Sequence, residues 1–268
     1  MEMVRNQNII DFFFSNLKND IINLKVVILL NLSNKNVFIT GSAKGLGKSL
    51  IEEFAKNKCN VVISYNKSKK EAEMLEKYIK EKYNVKVLYV NCDVTNEESI
   101  KKSISYIVEN FGNIDVIINN AAYAQDNYID EKTKEEFMRV IETNLIGPFL
   151  ICKYAYKYMN NGIIVNISSK DATSTYNDIS IDYCASKAGL NSITQTLSLA
   201  LKNIKVISVM PGWIDTESVQ NMNPEYLKKE LKRINQSKLS TPKNISKQII
   251  DIIKNEKINT GSIIELED

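Results

Sequence analysis

The most informative feature of this sequence is a residue type that it lacks. Among its 268 residues there is no histidine, so a Ser-His-Asp or Cys-His nucleophile system cannot be built. Zinc sites of the HExxH type and iron sites with two histidines and a carboxylate are excluded as well. Any proton transfer must use tyrosine, lysine, a carboxylate, cysteine or water. We expect no metal site.

Cysteine and net charge are also scarce. The four cysteines, at positions 59, 92, 152 and 184, form no CxxC pair, and their spacing suits neither a zinc site nor a disulfide framework. We expect them to be reduced and mostly buried, as in a cytoplasmic protein. The formal charge of +3, from 35 basic and 32 acidic side chains, does not indicate a nucleic-acid-binding protein.

Long apolar runs are missing too. In residues 1–32 apolar side chains recur at steps of three or four from Ile10 to Ile28, which predicts a helix with one apolar face. The run from Val26 to Leu30 is shorter than the about 20 residues that a membrane span needs, and it resembles no signal peptide. We expect a helical extension that packs on its own domain or on a second subunit. Attachment to a membrane surface or a partner is the alternative.

Between residues 33 and 268 short apolar runs alternate with helical patterns, and no repeat or Pro/Gly-rich linker divides them. This alternation predicts a single α/β domain with a parallel sheet between two layers of helices, a doubly wound Rossmann-type fold. Residues 213–242 are the least regular part and are expected to form the substrate loop. Their basic stretch from Lys228 to Arg233 is expected to be a solvated helix. The predicted strands are 37–39, 61–63, 85–90, 116–118, 163–167, 204–209 and 262–266.

The first predicted strand leads directly into Thr40-Gly41-Ser42-Ala43-Lys44-Gly45-Leu46-Gly47, followed by a helical pattern. Glycines in this position allow a tight turn and a close approach of the backbone to a pyrophosphate, while the helix N-terminus supplies N–H donors. Taken alone, GxxxGxG also fits an ordinary turn. Its place between a strand and a helix favours a dinucleotide site.

The end of the second strand bears on the choice of cofactor. A site for NAD usually has an acidic residue there, about 20 residues after the glycines. Here the strand ends in Tyr65-Asn66-Lys67, without an acid, and Lys44 precedes the second glycine. A carboxylate would repel the 2′-phosphate of NADP, so its absence favours NADPH over NAD. The alternative is that both lysines are merely exposed.

Tyr183 and Lys187 are one helical turn apart, so they lie on one helix face. The pKa of tyrosine is near ~10, and a neighbouring cation lowers it. Such a tyrosine can donate a proton to a carbonyl oxygen while hydride reaches the carbon. A Tyr-Lys pair on its own is more often structural.

Further polar groups follow the third, fourth and fifth strands, at the sheet edge where ligands bind. They are Asp93-Val94, Asn119-Asn120-Ala121-Ala122 and Ser168-Ser169.

Together these motifs resemble the short-chain dehydrogenase/reductase family, from about Leu32 to the C-terminus. The resemblance implies that Tyr183 is the general acid/base, that Lys187 lowers its pKa, and that Ser169 binds the substrate oxygen. Asn144 would hold a water that leads to Lys187. The implied cofactor contacts are Gly41, Ser42, Lys44, Gly45, Leu46, Gly47, Asn66, Asp93, Val94, Asn120, Ala121, Tyr183, Lys187, Pro211, Gly212, Ile214 and Thr216.

Two positions depart from the family pattern. Ala122 stands where relatives usually have glycine, and alanine tolerates a positive φ less well. Ser169 is one residue further from Tyr183 than in most relatives. Choosing Ser169 over Ser168 therefore assumes a one-residue insertion in the loop between serine and tyrosine.

Within the family the chain looks most like 3-oxoacyl-(acyl-carrier-protein) reductases of fatty acid biosynthesis. The resemblance implies a cytoplasmic, NADPH-dependent carbonyl reductase. Its small-molecule substrate would be a carbonyl compound or an acyl thioester, and an acidic carrier protein would suit the basic stretch 228–233. A sugar, polyol or other small-alcohol dehydrogenase and a non-catalytic NADP-binding scaffold are the alternatives. A homodimer or homotetramer is also implied, with its two-fold contact through residues 136–159 and 183–201.

Overall fold

The computed structural model describes residues 31–267. The helical extension predicted for residues 1–32 therefore lies outside the described residues, apart from its last two. Leu32 is buried in the core. All four cysteines are free and buried, as predicted. None of the helices described is long and apolar enough to cross a membrane.

Strands and helices alternate along the described chain. The strands are β1 (Asn36–Ile39), β2 (Asn60–Tyr65), β3 (Val87–Asn91), β4 (Val116–Asn119), β5 (Ile163–Ile167), β6 (Lys205–Met210) and β7 (Ile263–Glu265). The helices are α1 (Gly45–Lys56), α2 (Lys69–Lys82), α3 (Glu97–Phe111), α4 (Lys134–Ile141), α5 (Gly147–Ala155), α6 (Ile181–Ala200), α7 (Glu217–Gln220), α8 (Pro224–Arg233) and α9 (Pro242–Lys254). A π-helical segment, Glu142–Ile146, joins α4 to α5.

The strands form one parallel sheet in the order β3-β2-β1-β4-β5-β6-β7. This confirms the predicted Rossmann-type fold. Because the strand order reverses between β1 and β4, the loops that follow these two strands diverge and leave a crevice at the carboxyl edge. The strands are apolar almost throughout because the sheet is covered on both faces.

Successive strand residues point to opposite faces, so the core has two halves. Val37 and Ile39 pack in one half with α1, α2 and α9. Phe38 packs in the other half with α3 and α5. Both halves are rich in fully buried isoleucines, and a rigid sheet is the result. That sheet fixes where each loop leaves the carboxyl edge.

Candidate active site

The glycine loop between β1 and α1 is shaped by its glycines. Gly41 and Gly45 have φ of 60° and 55°, a left-handed conformation that side chains disfavour. Gly47 is helical, but a Cβ there would lie 2.6 Å from Ser42 Cα and 2.7 Å from the Gly41 oxygen. The spacing GxxxGxG is therefore required by the packing of this turn.

Thr40 and Asn120 fasten the glycine loop to the end of β4. The Thr40 hydroxyl accepts hydrogen bonds from the backbone N–H groups of Asn120 and Ala121, both at 3.0 Å. The Asn120 amide donates in return to the carbonyl oxygens of Thr40, at 2.9 Å, and Gly41, at 3.1 Å. Asn120 and Ala121 thus lie at the loop and their polar groups hold it; their contact with a cofactor stays a prediction.

Ser42 and Leu46, which the sequence predicts as cofactor contacts, both have buried side chains. The Ser42 side chain is fully buried. Its hydroxyl donates to the Ile39 oxygen at 2.8 Å and accepts from the N–H of Ser64 at 2.9 Å. Leu46 is buried in the core beside β1. Both side chains face inward because they anchor the turn, so a cofactor contact at these positions would use backbone atoms.

The first turn of α1 is suited to a phosphate group. Lys44 at its N-cap makes no side-chain capping bond, and the first turn carries no acidic residue. By contrast, α3, α4, α8 and α9 are capped by the side chains of Asn96, Thr133, Asn223 and Thr241. N–H groups without a side-chain cap at the positive end of a helix dipole are what a pyrophosphate binds.

At the end of β2 a small cluster of polar residues faces the loop that follows β3. Burial opposes the charge of Asp93, yet hydrogen bonds from Thr95 and Asn66 and the charge of Lys67 outweigh it and lower the pKa of this carboxyl. Asp93 and Asn66 therefore lie together, where an adenosine would be expected. Val94 is buried next to them. Lys44 lies 2.8 Å from Glu71 of α2, a partner that sequence analysis did not identify.

The loop after β6 covers the other end of the crevice. Pro211 accepts a hydrogen bond from the N–H of Lys170 at 3.2 Å, and Gly212 has no room for a Cβ because Gln236 Oε1 would lie 2.5 Å away. Ile214 pairs with Ser240 in an isolated bridge. The methyl group of Thr216 lies above Gly45, within 3.5 Å of where a Cβ would be. Of these residues, Thr216 lies against the glycine loop, and the cofactor contacts of all four stay a prediction.

Tyr183, Ser169 and Lys187 meet at the carboxyl edge of β5. The Ser169 hydroxyl is hydrogen-bonded to the Tyr183 phenol and accepts from the N–H of Asp171 at 3.1 Å. The Lys187 ammonium lies 5.5 Å from the centre of the Tyr183 ring. Ser168 is turned away and donates to the Lys187 carbonyl oxygen at 3.2 Å. The structure therefore brings Ser169, and not Ser168, to the phenol.

The sequence from residue 35 to residue 227 matches the family model described as short chain dehydrogenase. That match, which includes the glycine loop, Ser169, Tyr183 and Lys187, decides the identification. This chain is a short-chain dehydrogenase. Enzymes of this family are oxidoreductases that interconvert CH–OH and C=O groups with a nicotinamide cofactor, and the same is true of this protein.

Individual relatives of this short-chain dehydrogenase carry different names. Glucose 1-dehydrogenase 2 of Bacillus subtilis is 35% identical over 224 residues, 81% of this chain and 86% of that relative. A 3-oxoacyl-(acyl-carrier-protein) reductase of Buchnera aphidicola is 30% identical over 88% of this chain and 97% of its own length. A solved short chain dehydrogenase from Burkholderia cenocepacia, in complex with NADP, superimposes with a TM-score of 0.81 at 23% identity, covering 89% of this chain and 98% of its own.

The proton-transfer groups of this short-chain dehydrogenase are strongly desolvated. Loss of water around the phenol, followed by the charge of Asp171, raises the pKa of Tyr183, and the Ser169 hydrogen bond lowers it only in part. Burial lowers the pKa of Lys187 to about 8. Sequence analysis predicted a Tyr183 pKa lowered by Lys187. The structure differs because burial of the phenol affects its pKa more than any neighbouring charge, and because the Lys187 ammonium donates to the Ile167 oxygen at 2.7 Å.

Asn144 lies in the π-helical segment and is fully buried. Its side-chain amide donates to the Tyr123 oxygen at 2.8 Å and to the Ser186 hydroxyl at 3.1 Å, and its oxygen accepts from the N–H of Tyr123 at 2.8 Å. Both N–H groups are thus engaged by protein atoms. The Asn144 side chain therefore links the loop after β4 to α6, and the water predicted at this residue stays a prediction. A π-helical turn at such a position is common in functional sites.

Ala122 fits its position without strain, because it is exposed and its φ is not positive. Sequence analysis missed other residues that shape the site. Lys132 and Asp182 form a buried ion pair of 3.0 Å immediately before Tyr183, and Asp171 next to Ser169 pairs with Arg233 of α8 at 2.9 Å. In the sequence, the buried pair was indicated only by Asp182, an acidic residue directly before Tyr183 in a helix that has to pack against the sheet.

Proposed function

We propose that this short-chain dehydrogenase reduces a carbonyl group with NADPH, and that its substrate is a 3-oxoacyl thioester. The observation that carries the chemistry is the hydrogen-bonded pair of Ser169 and Tyr183, with Lys187 beside it. This group opens onto the same crevice as the glycine loop. The nicotinamide cofactor, when bound, supplies the hydride that the carbonyl carbon receives.

The side chains of the site divide the remaining work. The Ser169 hydroxyl and the Tyr183 phenol together hold the substrate oxygen by hydrogen bonds, and Tyr183 donates its proton to that oxygen as negative charge develops on it. The raised pKa of Tyr183 keeps the phenol protonated, as an acid requires. Lys187, anchored by the Ile167 oxygen, places a cation near the phenolate that results.

The preference for NADPH rests on the charges at the end of β2. No acidic residue follows Tyr65 directly: Asn66 and Lys67 come after β2, and Lys44 is the N-cap of α1. We infer that a 2′-phosphate would lie near these three residues. The exposed carboxylate of Glu71 beside Lys44 partly offsets this positive charge. We therefore infer a preference for NADPH over NADH, of modest size.

The thioester substrate is supported by two observations. A 3-oxoacyl-(acyl-carrier-protein) reductase is 30% identical along almost the whole chain. Lys228, Lys229 and Lys232 of α8 are exposed, and a basic surface of this kind suits an acidic carrier protein. Arg233 does not belong to this basic surface, because it is paired with Asp171 and Glu230; the solvated helix predicted for 228–233 is in this respect wrong.

A sugar or other small alcohol is the second candidate substrate, because glucose 1-dehydrogenase 2 is 35% identical to this chain. One assay separates the two. NADPH oxidation with acetoacetyl thioester, and NADP⁺ reduction with glucose and a panel of polyols, are followed by absorbance, with Tyr183→Phe protein as the control. Thioester-dependent oxidation that Tyr183→Phe abolishes is expected. Turnover of sugars alone would favour the second candidate, and turnover unaffected by Tyr183→Phe would contradict the proposed role of this tyrosine.

We also propose a homodimer or homotetramer in the cytoplasm. Exposed apolar side chains on α5, the preceding π-helical segment, α4 and α6 support a two-fold contact there, namely Phe149, Ile146, Met138 and Ile181. An unpaired apolar face of this kind is typical of a subunit interface. Light scattering after size exclusion is expected to give a multiple of the chain mass, and Phe149→Glu is expected to shift it toward a monomer.

A further inference from the structure

Arg233, the last residue of α8, reaches from the substrate segment into the loop that joins Ser169 to Tyr183. Its Nη1 lies 2.9 Å from Asp171 Oδ1 and also donates to the Thr175 oxygen. Its Nε donates to Glu230 Oε2 at 2.8 Å. The Arg233 side chain is only 20% exposed and that of Glu230 only 4%. A single guanidinium therefore links two carboxylates from different segments.

A second contact makes this junction more than one ion pair. Glu230 also accepts a hydrogen bond from the buried Asn177 amide at 3.0 Å, and Asn177 belongs to the same loop as Asp171. The Thr175 hydroxyl donates to the Asp171 carboxylate at 3.1 Å. The loop 170–180 is thus attached to α8 at three of its residues. Because Ser169 and Tyr183 flank this loop, the junction limits how either can move.

The junction also places charge close to the reacting groups. Asp171 is two residues from Ser169 and donates its own N–H to the Ser169 hydroxyl. Its charge opposes ionisation of the phenol more strongly than that of Asp126. Arg233 is the cation that balances Asp171. The other titratable or charged groups facing Tyr183 and this junction are Asp126 of the loop after β4, Cys184 and Lys187 of α6, and Tyr226 and Glu230 of α8.

We propose that Arg233 is a positioning residue: it holds the loop 170–180 against α8 and neutralises Asp171 beside Tyr183. The proposal rests on the proposed role of Tyr183 in proton transfer. It follows from the bidentate reach of the guanidinium, which only arginine can provide, and from the cost of leaving a carboxylate partly buried without a counter-charge. Lysine in its place would supply charge without the second contact.

The charge balance is tested by the pH dependence of alcohol oxidation, in which Tyr183 must lose its proton. In Arg233→Met protein the uncompensated Asp171 disfavours the phenolate, so the acidic limb of the profile moves to higher pH. A shift of about one pH unit lowers the rate on that limb about tenfold. Asp171→Asn moves the limb the opposite way, and the double variant Arg233→Met/Asp171→Asn returns it toward wild type. Arg233→Lys gives an intermediate shift. Lys247 is an exposed lysine of α9, and Lys247→Met gives no shift.

The hold on the loop is tested without turnover. Cys184 follows Tyr183 and lies near Asn177, Asp171 and Arg233; it is 8% exposed, whereas Cys59, Cys92 and Cys152 are 3% exposed or less. Labelling by N-ethylmaleimide, located by peptide mass spectrometry, is expected to be at least about fivefold faster at Cys184 in Arg233→Met protein than in wild type or Lys247→Met. Cys184→Ser confirms the site of labelling.

The two measurements separate the possible failures. Unchanged labelling of Cys184, or an unmoved acidic limb in both Arg233→Met and Asp171→Asn, overturns the proposal. If wild-type protein turns over no substrate, the proposed function fails, and the labelling rates alone decide the role of Arg233. If Arg233→Met does not fold, Asp171→Asn and Arg233→Lys carry both measurements.

Discussion

The two halves of the active-site crevice are held together by different physics. On the cofactor side, the glycine loop is fastened by neutral hydrogen bonds from Thr40, Ser42, Ser64 and Asn120. On the catalytic side, buried charged groups hold the segments around Tyr183. Two of them are the ion pairs Lys132–Asp182 and Arg233–Asp171. The third is the ammonium of Lys187, which is bound by the Ile167 oxygen. The hydrogen bonds that hold the glycine loop carry no charge and are therefore expected to be insensitive to pH, whereas the charged side is coupled to proton transfer.

The largest effect is expected on the charged side, from Lys132→Met. The side chains of Lys132 and Asp182 are 3% and 0% exposed, so the substitution leaves a buried carboxylate without its partner. The free energy of unfolding should fall by about 3–5 kcal/mol. The double variant Lys132→Met/Asp182→Leu should recover most of this loss, because no buried charge remains. Chemical denaturation monitored by circular dichroism measures both.

Lys77→Met is the matched control for Lys132→Met, since Lys77 pairs with Glu81 at 3.9 Å on the exposed face of α2 and exposed pairs contribute little. No measurable change is expected. If Lys132→Met were as mild as Lys77→Met, the buried ion pair would not hold the segment before Tyr183, and the contrast between the two halves would fail.

The next largest loss of stability is expected on the cofactor side, from Thr40→Val. Thr40 is buried, and its hydroxyl is the acceptor for the N–H groups of Asn120 and Ala121. Each buried N–H without a partner costs about 1–3 kcal/mol, so the free energy of unfolding should fall by about 2–3 kcal/mol. The loss should be the same at pH 6 and pH 9, because no charge is involved.

Thr196→Val serves as the control for Thr40→Val, because Thr196 is exposed on α6 and only donates to the Ser192 oxygen at 3.0 Å. It should leave both stability and cofactor affinity unchanged. If the loss of unfolding free energy in Thr40→Val depended on pH, the cofactor side would not be held by uncharged hydrogen bonds alone.

Lys187 is expected to make the free energy of unfolding depend on pH, with an effect of intermediate size. Its pKa in the folded protein is about 8, against 10.5 for an ordinary lysine. Between pH 8 and pH 10 the unfolded chain therefore binds a proton that the native protein has released, and the free energy of unfolding rises with pH, by about 2 kcal/mol. Tyr183, whose pKa is raised above 10.0, does not interfere below pH 10.

The measurement for Lys187 is the difference in unfolding free energy between wild type and Lys187→Met across this pH range, which removes the contribution of the other lysines. The difference should grow in favour of wild type from pH 8 to pH 10. A difference that stays constant, or that shrinks, would show that Lys187 remains charged in the folded protein.

The same contrast explains what the sequence could predict. β5 matches its predicted bounds, 163–167, because buried parallel strands are continuous apolar runs. The glycine loop on the cofactor side could be predicted from the sequence because glycine spacing reflects local backbone geometry. The pairing of Arg233 with Asp171, 62 residues apart, has no local signature, since either residue alone is indistinguishable from a solvated charge. The inward turn of Ser42 was missed for a related reason: its hydroxyl bonds depend on β2, which only the folded sheet brings beside it.

The smallest effect concerns an exposed ion pair on the cofactor side, Lys44–Glu71. The Lys44–Glu71 pair is exposed, with side chains 49% and 41% accessible, and Glu71 raises the pKa of Lys44 through a hydrogen bond and its charge. Glu71→Gln removes the anion that competes with a 2′-phosphate for Lys44. The dissociation constant of NADPH, measured by its fluorescence, should fall about two- to fivefold at low salt, and that of NADH should not change.

Glu73→Gln is the control for Glu71→Gln, because Glu73 pairs with Lys69 on the same helix at 3.7 Å and is expected to affect neither cofactor. Since both members of the Lys44–Glu71 pair are solvated, the gain for NADPH should disappear as salt screens it. A gain that persisted in high salt, or that appeared equally for NADH, would place the effect in the shape of the glycine loop and not in its charge. The Lys44–Glu71 pair would then contribute no charge to the choice of cofactor, and the preference for NADPH would have to come from Asn66 and Lys67 at the end of β2.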